Sequence, residues 1–239
     1  MPFRKVTWSE TEQRVSIYNW GCNFACLGCS YKLLRPQHDK WVRPERIEEL
    51  LAHYRPRKVT FLGGEATTNP DLPRLLTFAK QQVGAETWLG HTNGSKLPLP
   101  DLDGANVSLK AFSPAKHLEY TGYPAEPIYA NFRAGFEAGL KMKASTVFIP
   151  NFVDLDEIEA MAWLTGYDGW SFYVHQGVFV AAGGEPVWWG RGMDARGAER
   201  TVYMANDNIT GYPDHFVQST ERHPMQHLAA ELKRRNLGT

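Results

Sequence analysis

The sequence predicts an α/β fold, a partial (β/α)6 barrel followed by a short C-terminal extension. Three observations lead there. Strand-like runs alternate with helical ones along most of the 239 residues, the pattern of βαβ units around a parallel sheet. Three cysteines, Cys22, Cys26 and Cys29, are the only ones in the chain and directly follow the first strand-like run. After Gly177 the alternation stops. The barrel is therefore assigned to 1–177, and 178–239 to an extension that caps it or contacts substrate.

Taken in order, residues 13–19 read as the first strand, with the cysteine loop after it. Pro44 suits a first helical position and opens a helix to about Tyr54. A second strand over 58–62 ends in Gly63-Gly64-Glu65. A helix is expected over 71–83, with Asp71 as its cap before Pro73. Strands follow at 87–92 and 105–111, helices at 114–120 and 128–141. A strand at 145–149, a helix at 154–164 and a strand at 169–175 complete six β/α units. Residues 183–216 are rich in glycine, aromatic and polar residues, and an amphipathic helix is expected over 221–236.

Composition narrows the function classes. The formal net charge is zero, from 26 basic and 26 acidic residues, so the strong positive field that broad nucleic-acid binding needs is missing. There is no apolar signal core at the N-terminus and no apolar run long enough to cross a bilayer, which points to a soluble, cytoplasmic protein. An odd number of clustered cysteines fits a reducing compartment rather than a disulfide framework. No thiol is left over outside this group of three for a further metal centre or for covalent chemistry.

Five motifs carry the chemistry. Three thiolates leave a four-coordinate metal shell incomplete, which suggests an open position. The bland alternative is a structural zinc held by Cys22, Cys26, Cys29 and His38. Gly63-Gly64-Glu65 is either a tight turn or a place where backbone approaches a ligand. His91-Thr92-Asn93-Gly94 ends the third strand and Ser108-Leu109-Lys110-Ala111-Phe112 lies on the fourth. A lysine at a buried strand end wants an anionic ligand, unless it snorkels to water. Phe172-Tyr173-Val174-His175-Gln176-Gly177 closes the sixth, where His175 is a ligand contact or a structural histidine.

The C-x-x-x-C-x-x-C spacing resembles the signature of the radical S-adenosylmethionine (SAM) enzymes. The strand-end motifs resemble those of the pyruvate formate-lyase activating enzyme-like, glycyl-radical-enzyme activases. The resemblance covers residues 13 to about 177. It implies that Cys22, Cys26 and Cys29 hold three irons of a [4Fe–4S] cluster, with the fourth iron taken by the amino and carboxylate groups of SAM. It places Gly63, Gly64 and Glu65 at the SAM ammonium, Asn93 nearby, Lys110 at the carboxylate, Ser108 at the ribose or a loop, and His175 close to SAM. Gly28 stands where the family has an aromatic beside the adenine, a contact left to Tyr31 or Phe24. His91 and Ser108 stand where the activases have aspartates that bind a monovalent cation, so that ligation is not expected here.

The implied activity is reductive cleavage of SAM to a 5′-deoxyadenosyl radical that abstracts hydrogen, with a flavodoxin or ferredoxin as electron donor. The expected target is a glycine of a partner glycyl radical enzyme. A small molecule, nucleoside or peptide is the alternative, as in the 7-carboxy-7-deazaguanine synthases of similar size, and a non-catalytic zinc module is the alternative of a different class. The run of Glu185, Trp188, Trp189, Arg191, Asp194 and Arg196 suits a cap packed on the barrel better than a substrate contact. Asn206-Asp207-Asn208 is turn-like.

Overall fold

Val15, Ser16 and Ile17 are all buried, the signature of an interior strand covered on both faces. In the computed structural model they form the middle of β2 (Arg14–Tyr18), and Val59, Thr60 and Phe61 do the same in β3 (Lys58–Leu62). The structure describes residues 1–27, 29, 41–148, 152–153, 156–158, 160–161, 171–176, 191–193 and 199–201. They fall into two compact units: Met1–Phe24, Arg35–Ser108 and Glu126–Lys143 form the first, and Ala25–Leu34, Leu109–Ala125 and Ala144–Thr239 the second.

In the first unit β1 (Lys5–Ser9) pairs antiparallel with β2, and β2, β3, β4 (Glu86–Thr92) and β5 (Gly104–Ser108) run parallel in that order. Helix α1 (Pro44–Tyr54) starts on its proline, buries Ile47 and Leu51, and ends on Arg55 in the left-handed region, whose N–H reaches the Leu51 carbonyl. Helix α2 (Leu72–Thr77) buries Leu72, Leu75 and Leu76. Helix α4 (Glu126–Glu137) buries Ile128 and Phe132. Such apolar burial contributes roughly 1.5–3 kcal/mol per large side chain.

The second unit holds α3 (Pro114–Thr121), the greater part of β6 (Lys141–Phe148), helical residues within 156–161, and the antiparallel set β7 (Ser171–Gln176), β8 (Arg191–Met193) and β9 (Glu199–Thr201).

Several expectations need correction. β1 was not foreseen, nor were β8 and β9 inside the stretch read as irregular. Asp71 does not cap α2 with its side chain. Asn69 Oδ1 accepts the Asp71 N–H at 3.0 Å instead, and the Asp71 carboxylate meets the N-terminal ammonium. The helix expected over 71–83 widens into a π-helical turn at Phe78–Val83. The helix expected to reach 141 stops at Glu137 because Gly139 takes φ +82°, and β6 starts at Lys141, four residues before the strand foreseen there. β5 ends at Ser108, so Lys110 lies past the strand and not on it. The helix expected over 221–236 lies outside the described residues.

Candidate cofactor site

The chain leaves β2 through Asn19 and turns at Gly21 (φ +86°) into Cys22. Beneath that turn sits the loop after β3. Gly63 and Gly64 both take positive φ, +75° and +51°, and a Cβ on Gly64 would lie 2.2 Å from the Gly21 carbonyl oxygen. The Glu65 N–H then donates to that same carbonyl at 2.8 Å. The second glycine is thus required by the approach of the two loops themselves. That close approach sets the backbone just ahead of the first cysteine.

Glu65 is 1% exposed, and its carboxylate is a hub. Oε1 accepts from Thr67 N–H (3.1 Å), Thr67 Oγ1 (2.8 Å) and Thr92 Oγ1 (2.9 Å), and Oε2 accepts from Asn93 N–H at 2.6 Å. Burial pushes its carboxyl above the usual range, and these donors only partly offset that. Its backbone carbonyl accepts from Asn19 Nδ2 at 2.7 Å, and Asn19 Oδ1 accepts from Asn69 Nδ2 at 3.0 Å. The ends of β2, β3 and β4 are therefore tied by Asn19, Glu65 and Asn93, on the face where parallel sheets gather ligands.

A bulge shapes the end of β4. Leu89 pairs with Ala105 and Thr92 with Val107, so β4 carries one extra residue between them. His91 is turned out and exposed, whereas Thr92 and Asn93 are buried. Gly90 fits there because a Cβ would lie 2.6 Å from the Thr60 methyl. Cys22 Sγ accepts from the Phe24 N–H at 3.3 Å and from Asn93 Nδ2 at 3.7 Å.

In the second unit the loop hangs on the end of α3. Ala25 N–H donates to the Thr121 carbonyl (2.7 Å), Leu27 N–H to the Tyr120 carbonyl (2.9 Å) and Cys29 N–H to the Cys26 carbonyl (3.3 Å). Carbonyls that the last turn of a helix leaves without partners thus hold the loop. Burial raises the Tyr120 phenol well above its ordinary value, and the neighbouring Cys26 and Cys29 raise it further. At the other end of α3, Glu157 accepts from the N–H groups of Phe112 (2.6 Å) and Ser113 (2.9 Å) and from the Ser113 hydroxyl, with Lys116 at 3.4 Å.

Ser108 is half-buried at the end of β5 in the first unit, and Lys110 is half-buried in the second. His175 lies on β7. Tyr31, Gly28 and His38 lie outside the described residues, as do Glu185, Trp188, Trp189, Asp194, Arg196 and 206–208. Asn19, Asn23, Thr67, Tyr120 and Glu157 were not foreseen, and Thr92 only as a member of its motif. The one available signal was Asn19: a polar residue closing a strand, as Glu65 and Asn93 follow the next two.

The donor set fits an iron–sulfur cluster. Cys22 is an exposed residue whose sulfur accepts two N–H donors, as suits a thiolate. Among the described residues no three acidic, histidine or cysteine side chains converge on one ion. A four-iron cluster does not require it, since each cysteine takes a different iron.

A parallel α/β sheet with such a loop after its first parallel strand defines a class of iron–sulfur enzymes that use SAM. Residues 17–164 match the Radical SAM superfamily, and the chain belongs to it. Members of this family are enzymes whose cofactors are a [4Fe–4S] cluster and SAM. A Methanocaldococcus jannaschii protein named as a glycyl-radical enzyme activating enzyme is 31% identical over 169 residues, 65% of this chain and 64% of that protein. The benzylsuccinate synthase activating enzyme of Thauera aromatica is 28% identical over 165 residues, 62% of this chain and 49% of that protein. A GTP 3′,8-cyclase of Tolumonas auensis is 27% identical over 159 residues, 60% of this chain and 46% of that protein. An ectoine hydrolase of Halomonas elongata is 55% identical over 98 residues, 40% of this chain and 25% of that enzyme. The chain thus spans less than two thirds of each of these relatives. Streptococcus suis SuiB, solved bound to SAM, superposes with a TM-score of 0.53 at 14% identity, over 90% of this chain and 46% of that one. That likeness is one of fold, and it agrees with the radical SAM architecture expected from the sequence. Among the described residues no helix is long and apolar enough to cross a membrane.

Proposed function

We propose that this protein cleaves SAM reductively at a single [4Fe–4S] cluster on Cys22, Cys26 and Cys29, and takes a hydrogen atom from a glycine of a partner glycyl radical enzyme. The observation that carries the first half is the docking of the Gly63–Glu65 loop against Gly21, directly before Cys22. The second half rests on the two activating-enzyme relatives.

When bound, the cluster and SAM supply one-electron cleavage of the sulfonium and the hydrogen-abstracting power that follows. The chain's own residues bind and orient. With the Glu65 carboxylate committed to four donors, the SAM ammonium falls to the carbonyls of Gly63 and Gly64. Lys110 is assigned to the SAM carboxylate, Ser108 to the ribose, and His175 and Tyr31 to the remaining edge of the ligand. A flavodoxin or ferredoxin of the cytoplasm delivers the electron. The test is deuterium transfer: a partner labelled at glycine should pass deuterium into 5′-deoxyadenosine, and unlabelled product would remove the activase reading.

The cyclase relative favours a second reading, in which the hydrogen comes from a small molecule such as a nucleotide. The same assay with labelled nucleotides separates the two.

The hydrolase relative matches 40% of this chain and 25% of that enzyme, and no ectoine-hydrolysing activity is assigned to this protein.

A further inference from the structure

Asn93 is 6% exposed, and every polar atom of its side chain has a partner. Its Oδ1 accepts the Ser95 backbone N–H at 2.9 Å. A backbone N–H can only donate, so the amide cannot be flipped, and Nδ2 must face the other way. There it donates to Asn23 Oδ1 at 2.8 Å and lies 3.7 Å from Cys22 Sγ. Asn23 is held in turn by its own Nδ2, which donates to Ser95 Oγ at 3.0 Å. The Asn93 backbone is fixed by its N–H on Glu65 Oε2 at 2.6 Å. Three neighbours thus aim one N–H donor at one sulfur.

We propose that Asn93 is a positioning residue for the cluster ligand Cys22, holding the thiolate through its amide and raising the cluster's reduction potential, rather than a contact to SAM. The inference rests on the cluster reading of Cys22. The physical reason is charge. A thiolate on iron gains negative charge when the cluster is reduced, and an N–H donor aimed at it stabilises that state. Phe24 N–H, at 3.3 Å, gives the same sulfur a second donor, but from the loop itself, where no side-chain change removes it. Asn93 reaches Cys22 from the end of β4, so the potential is coupled to the Glu65 hub and hence to the loop proposed for SAM.

Asn93→Asp keeps the size and the bond from Ser95 while turning the donor toward sulfur into a charged acceptor. The experiment is an anaerobic redox titration of the reconstituted protein followed by electron paramagnetic resonance, with iron per chain and melting temperature measured beside it. Asn93→Asp should hold iron as wild type does, and its midpoint potential should fall. Asn93→Ser, which shortens the donor without adding charge, should shift it the same way by less. Loss of iron in both variants with unchanged melting of the iron-free chain also supports the role, since the thiolate is then no longer held. Unchanged potential at full iron content overturns the proposal, as does loss of iron together with a lowered melting temperature, which marks a merely structural residue. A wild type that binds no iron would instead sink the cluster reading itself.

Discussion

The Asn93 backbone N–H lies 2.6 Å from Glu65 Oε2, so the residue after β4 is held by the loop after β3. Thr92 Oγ1 meets the other oxygen at 2.9 Å, and both contacts are buried. Glu65 therefore acts in the described structure as the joint between two strand ends. Replacing it with glutamine keeps the shape but sets an NH2 against a backbone N–H whichever way the amide is turned, that of Thr67 or that of Asn93. Glu65→Gln should lower stability by about 1–3 kcal/mol, the cost of a buried donor left unmatched. Thermal unfolding measures it, and a wild-type melting temperature would show that the hub is dispensable.

Gly64 and Gly84 form a controlled pair. Both have positive φ, +51° and +77°, but a Cβ on Gly84 meets nothing within 4 Å, whereas one on Gly64 meets the Gly21 carbonyl oxygen at 2.2 Å. Gly84→Ala should cost about 1–2 kcal/mol, the left-handed penalty alone. Gly64→Ala should cost more, and should also reduce iron binding, because the loop carrying Cys22 has to move. Equal losses in the two variants would mean that the close approach to Gly21 has no consequence.

Glu157 anchors the start of α3, the helix from whose other end the Cys26 loop hangs. Burial pushes its carboxyl up, but hydrogen bonds from Ser113 and Phe112, with Lys116 nearby, outweigh it and hold the group below the usual carboxylate range. A carboxyl lowered by folding binds fewer protons in the native state. Its contribution is therefore present above the unfolded value and is lost as pH falls through the folded one. Melting temperature should fall on acidification below about pH 4.5, and Glu157→Gln should be less stable near neutrality with a shallower acid limb. An identical acid limb in the variant would locate that titration elsewhere.

Much of this architecture was legible because interior parallel strands carry compact apolar runs, as in Val59-Thr60-Phe61, and because Pro44 and Pro114 mark helix starts. β1 was not legible. Its alternation is short, with only Val6 and Trp8 apolar in five residues, and none of them is fully buried. The π-helical turn was hidden for another reason. The apolar spacing runs on past Thr77, while Thr77, Lys80 and Gln81 turn polar side chains to Asp101 and Asp103, contacts that depend on distant residues. At the site, the cysteines and glycines could be read as motifs. Which neighbour each one serves could not. Gly64 answers to Gly21, Glu65 to Thr92 and Asn93, and a one-residue bulge sends His91 to solvent and Thr92 inward.

Cys26 lies one turn from Cys29, whose N–H bonds its carbonyl at 3.3 Å. Cys26→Ser should leave the fold intact by circular dichroism while iron per chain drops severalfold, because a hydroxyl is a poor substitute for a thiolate ligand. Full iron retention would exclude Cys26 from the ligand set.

Whether the three cysteines hold a SAM-cleaving cluster is decided by assaying SAM cleavage in anaerobically reconstituted protein reduced with dithionite. The reconstituted protein should be brown, with about four irons per chain. It should form 5′-deoxyadenosine, and the product should vanish in Cys26→Ser. A colourless protein holding a single zinc, or one whose 5′-deoxyadenosine output matches that of the Cys26 variant, would contradict it.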